Sequence, residues 1–120
     1  MARKFDIVLF ANDDEKRAKG LMNTDPLSES ECALFSFARR ADHPFWNKNV
    51  SYPLALAFVD DRNRVLAIRK MDAESTDACR ADSPDVKFVV EAAVEAMDGI
   101  SEGDILMVDG DDMSVWFVEP

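Results

Sequence analysis

Five consecutive residues near the middle of the chain, Phe45-Trp46-Asn47-Lys48-Asn49, place two aromatics beside one cation and two amides. In an extended segment Trp46 and Lys48 project to one side, and Phe45, Asn47 and Asn49 to the other. Two readings stay open. In the first, Phe45 and Trp46 anchor the core and Asn49 hydrogen-bonds its own turn before Pro53. Lys48 then only lays its methylene stem across the indole. In the second, the segment is the lip of a cleft where Lys48 and Asn49 offer donors to an anionic or carbonyl ligand. Arg17, in Arg17-Ala18-Lys19-Gly20, is a further cation suited to a carboxylate or phosphate, although a solvated helix face accounts for it equally.

Nucleophilic chemistry has few candidates. The chain holds two cysteines, Cys32 and Cys79, and one histidine, His43. A thiol nucleophile needs a neighbouring base, so a small hydrolytic enzyme would have to bring Cys79 and His43 together. No Gly-x-Ser-x-Gly elbow accompanies the histidine. The cysteines and histidine stand singly, without metal-ligand spacing, so neither a metal nor a cofactor is expected. Asp109-Gly110-Asp111-Asp112 lacks the alternating ligands and terminal Glu of a calcium loop and is expected to be a hairpin turn.

The elements that must carry these residues follow from periodicity. Arg3 to Ala11 alternates as a first strand. Asn12 with Glu15 three residues on is a capping-box pattern, and Gly20 is placed to close a helix of about two turns. Ala33, Phe35 and Phe37 share one face of a second strand and Leu34 the other, with a loop expected over Arg39 to Pro44. From Leu54 to Val59 both faces are apolar, the mark of a strand covered on each side. Asp60 to Asn63 turns that strand into a hairpin partner beginning at Arg64. Val86 to Ile100 is ambiguous. Lys87, Glu91, Glu95 and Asp98 recur at helical spacing, yet Val-Lys-Phe-Val-Val has strand composition. The tail reads as a hairpin, with Asp109-Gly110 tolerant of positive φ.

The 120 residues suffice for one domain, expected to span residues 1–120, with a single core. Lys and Arg total 14 against 24 Asp and Glu, for a formal charge of −10. Such a surface repels phosphate backbones and anionic membranes, so neither nucleic acid nor a membrane is expected as partner. No apolar run is long enough to span a bilayer, and the N-terminal segment lacks an export signature. A cytoplasmic location and two reduced thiols are therefore expected.

Segments taken in order, Arg17 to Met22, Ala33 to Phe37, Phe45 to Asp60, Val86 to Glu91 and Gly99 to Val108, resemble the domain-of-unknown-function 192 family over about Phe5 to Val108. The resemblance implies a mainly β fold (α+β by content), built as sandwich- or jelly-roll-like antiparallel sheets with one or two short helices. It implies no reaction. It also favours a strand over Val86 to Glu91 followed by a helical turn over Ala92 to Asp98, with one helix from Pro84 to Asp98 as the alternative. Asn47 stands where the family commonly has Met, and Ala55 where it commonly has an Asp placed to meet Lys48 across the same corner.

Three functions follow as expectations. The first is a non-enzymatic binding or accessory domain taking a small anionic ligand or peptide at the Phe45–Asn49 corner, with Arg17, Trp46, Lys48 and Asn49 as site residues and no catalytic residue. The second is the Cys79 or His43 enzyme. The third is an assembly module, a homodimer paired through a sheet edge.

Overall fold

The computed structural model describes residues 2–120. Seven strands, β1 (Ala2–Ala11), β2 (Glu31–Ala41), β3 (Leu54–Val59), β4 (Val65–Met71), β5 (Val86–Ala92), β6 (Ile105–Asp109) and β7 (Ser114–Val118), form one sheet in the order β4-β3-β5-β2-β1-β7-β6. Helix α1 (Asp14–Lys19) and a single 3-10 turn (Val94–Met97) are the helical pieces among the described residues. The fold is mainly β, as expected. The layering comes from one curled sheet with two packed faces, and β1 pairs β2 in parallel while the remaining ladders are antiparallel. The crossover carrying α1 makes that parallel pairing geometrically accessible.

The sheet curls until its two edges touch. Arg64, just before β4, bridges Ile105 of β6, and Asn63 O accepts from Leu106 N at 2.7 Å while Asn63 Nδ2 donates to Leu106 O at 3.0 Å. A first core fills the concave side of this half-barrel, with Phe5, Leu34, Ala55, Ala57, Leu106 and Phe117 among its members. A second core lies on the opposite face, with Phe35, Leu54, Leu56, Phe58 and Val89, and is covered by loops. Strand β3 alternates between the two and is buried at every residue, because each face has its own cover.

The ambiguous segment is strand β5 followed by the 3-10 turn; no single helix runs from Pro84 to Asp98. Cross-strand partners on both sides, β2 and β3, outweigh the helical charge spacing. Other local expectations shift by a few residues. The cap of α1 is Asp13, which accepts from Lys16 N at 2.7 Å, so Asn12 is not the capping residue. Strand β2 continues through Arg40 and Ala41 into the stretch expected to be loop. In the β6–β7 turn the positive φ falls on Met113, at 50°, and Gly110 is not among the positive-φ residues. Asp109 Oδ1 instead accepts from the Asp111 and Asp112 amides, both at 3.1 Å.

Candidate functional site

On the second-core face, the α1 turn and the Phe45–Asn49 corner stand opposite one another over β2 and β5. Between them lies a cavity of about 400 Å³, within the size range of small-molecule sites. Its apolar lining includes Phe35, Phe37, Phe45 and Trp46. Three of these four belong to a ring cluster. The Phe45 ring packs edge-on against Phe35, Phe37 and Phe58 at centroid distances of 5.0, 6.0 and 5.9 Å. Gly20 ends α1 at φ +49° and passes over Phe35, so that a Cβ there would sit 3.5 Å from the ring.

The corner is held by main-chain pairing with the loop after β4. Phe45 and Cys79 exchange hydrogen bonds at 2.9 and 2.7 Å, and Asn47 N donates to Ser75 O at 2.8 Å. Asn47 is the buried amide, 1% exposed, and its Nδ2 donates to Tyr52 O at 2.9 Å and Asp72 O at 3.0 Å. Asn49 was the amide expected to brace the turn. The residue is exposed, its φ is 60°, and its carbonyl accepts from Asn23 N at 2.8 Å. Asn49 does not line the cavity, whereas Arg17, Trp46 and Lys48 do.

Those three differ in what they can offer. Arg17 is not on a solvated helix face: Nη1 donates to Ser36 O at 2.6 Å, Nη2 to Asp14 Oδ1 at 2.8 Å, and the guanidinium lies 5.3 Å over Phe37. It is a fixed piece of wall. Trp46 is 47% exposed and so is no core anchor. Lys48 Nζ lies 5.3 Å over the Trp46 ring in solvent. Neither Lys48 nor the neighbouring lining residue Lys19 joins an ion pair among the described residues.

The residue that sequence reading missed is Glu91. It extends from β5 on the face shared with Ala33 and Leu56, its register partners in β2 and β3, and lines the cavity. It is 3% exposed, and no hydrogen bond or ion pair reaches its carboxyl among the described residues. Burial alone pushes that carboxyl up to about 8. The signal was legible once the segment was read as a strand. Glu91 shares a sheet face with Val89, in a run where Val89, Val90 and Ala92 are all buried. Helical spacing with Lys87 and Glu95 disguised it as a solvated charge.

Cys79 and His43 are not joined. The His43 ring stacks on Phe37 at 3.6 Å with Nε2 2.9 Å from Arg39 O. Burial pushes the Cys79 thiol up, the opposite of nucleophile activation. Cys32 and Cys79 are both free; Cys32 belongs to the first core and Cys79 packs against the second, on opposite faces of the sheet. Ala55 also belongs to the first core, so an acid at this position would point away from Lys48 and could not pair with it.

A model of the domain-of-unknown-function 192 family, described as an uncharacterized ACR, matches residues 2–108. The chain belongs to this family. No curated protein matches the sequence. Two solved structures are similar to it. One, from Sinorhizobium meliloti 1021 and described as a "putative transcription regulator", is 22% identical with a TM-score of 0.76, over 87% of this chain and 88% of that one. The other, a protein of unknown function from Novosphingobium aromaticivorans DSM 12444, is 27% identical with a TM-score of 0.74, over 80% of this chain and 70% of that one. The likeness to the first is one of fold alone.

Proposed function

We propose that this family member is a single-domain, non-enzymatic binding protein whose ligand is a small, largely apolar molecule carrying an anionic group. One observation carries the reading: a single cavity combines aromatic walls, two lysines free of acidic partners and a buried acid without a partner. In a chain of net charge −10, two unpaired lysines at one opening make a local exception that favours an anion there. The same net charge argues against nucleic acid as the partner. It argues equally against anionic membranes, and no helix is long and apolar enough to cross one. A cytoplasmic location is the reading consistent with two free thiols.

The test uses 1-anilinonaphthalene-8-sulfonate, an apolar anion whose fluorescence rises on desolvation. The native protein should bind it saturably at one site. Ala78→Trp, which places an indole into the cavity from an exposed lining position, should abolish binding with an unchanged circular dichroism spectrum. Combining Lys19→Met with Lys48→Met should weaken it several-fold. Binding that survives Ala78→Trp sinks the proposal.

A second reading has its own support. Two apolar side chains left in solvent sit side by side on β6 and β7: Met107 (54% exposed) and its register partner Trp116. A homodimer would cover them. Sedimentation equilibrium should then show mass rising above the 13.5 kDa of one chain as concentration increases, and Trp116→Ser should suppress the rise. A constant monomer mass removes this reading.

A further inference from the structure

We propose that Glu91 receives an ammonium group of the ligand, so that the molecule taken up is amphoteric, with an amine at its buried end and an anion at the mouth. The inference rests on the binding-cavity reading above and adds the chemistry of the inner end. Its basis is a carboxyl that lines the cavity, is 3% exposed and has no hydrogen-bond or ion-pair partner among the described residues. A buried carboxylate without a donor is costly, and a bound cation removes the cost by supplying both charge and hydrogen bonds. Asn47, another lining residue, likewise leaves its Oδ1 without a donor, so this part of the lining is short of donors rather than acceptors. The aromatic lining adds faces that attract cations.

The cations already present do not fill this role. Arg17 is committed to Ser36 O and Asp14, and Lys48 lies over Trp46 in solvent. Burial is the cause of the upward shift at the Glu91 carboxyl. Lys19 and Lys48 are exposed while the acid is buried, so the opposite charges stand at different depths of one cavity. A ligand with a single anionic group would satisfy only the mouth.

Because the empty site favours the protonated carboxyl, capture of an ammonium expels that proton to solvent. Affinity for the amine therefore rises with pH up to about 8 and holds there until the amine itself loses its proton. The other titratable groups near Glu91 are Tyr52 and Cys79, each pushed upward in part by the Glu91 charge, and Arg69, on the same face of β4 across Leu56, whose guanidinium donates to Ile68 O and Ala81 O. His43 stacks on Phe37 but does not line the cavity.

Calorimetry with 4-(aminomethyl)phenylacetate, phenethylamine and 3-phenylpropanoate tests this, each run in two buffers of different ionisation enthalpy. The amphoteric compound should bind tightest and release close to one proton at about pH 6.5 and far less at about pH 8.5, below the range where the amine itself loses its proton. Glu91→Gln should abolish the proton release and weaken the amphoteric compound by about tenfold or more, with an unchanged circular dichroism spectrum. The unchanged spectrum establishes that the variant is folded. The inference is overturned if 3-phenylpropanoate binds as well as the amphoteric compound. It is equally overturned if affinity falls as pH rises through 8, which would make Glu91 a neutral hydrogen-bond donor. Dye binding without amine binding overturns this inference alone; loss of both overturns the cavity reading with it.

Discussion

Glu91 ties the candidate site to folding through its proton. In the unfolded chain a glutamate titrates near its ordinary value of 4.5, and burial raises the folded value to about 8. The folded state therefore binds more protons than the unfolded state between those values. The stability associated with the neutral form is fully present below about 4.5 and is lost as pH rises through 8. The loss should amount to a few kcal/mol, because each pH step between the two values is worth about 1.4 kcal/mol. Urea melts at fixed pH values across this window should show native stability falling, and Glu91→Gln should flatten that slope. An equal slope in the variant would assign the pH dependence to another group.

The elements forming the cavity differ in how they are held, and the corner shows this most clearly. Residues Phe45 to Val50 form no strand or helix, yet Asn47 knits them to Tyr52 and Asp72. Removing its side chain leaves the buried Tyr52 carbonyl and the part-buried Asp72 carbonyl without their donor, so Asn47→Ala should cost about 1–3 kcal/mol in urea melts. Lys48, one residue on and in solvent, should tolerate Met within about ±0.5 kcal/mol. If Lys48→Met proves the more damaging of the two, the corner is braced from its outer side. Strand β1 contributes a different device. Its register against β2 slips between Ile7 and Leu9, and this bulge moves its buried row from the first core, with Phe5 and Ile7, to the second, with Leu9 and Ala11.

At the scale of the whole molecule, curling solves the edge problem and creates the site together. Contact between the ends of β4 and β6 satisfies backbone groups that open edges would expose, and it encloses the first core. The opposite face is then left for loops to cover, and loops cover it incompletely. The cavity is the space they leave between α1 and the corner. Binding on this face can thus change without disturbing the enclosed core, consistent with the separation of Ala55 from Lys48 by the sheet itself.

Local pattern was enough for the mainly β class, for the two-faced strand at Leu54 to Val59, for Gly20 closing α1 and for both hairpins. Each depends on side-chain alternation or on turn chemistry within a few residues. The corner was also legible as a place of interest, because aromatic, cationic and amide residues crowd there. Which amide was structural could not be read, since Asn47 and Asn49 differ only in what lies across the chain from them. The helical spacing around Glu91 competed with its strand composition until β2 and β3 supplied partners on both sides. Arg17 looked solvated because its acceptor, Ser36 O, is 19 residues away. The site is a property of contacts between distant segments, and burial, which perturbs Glu91 most, has no local signature. The sequence by itself determined the strands and their two faces; only the tertiary structure decided that one face would close around a core while the other kept an acid beneath an opening.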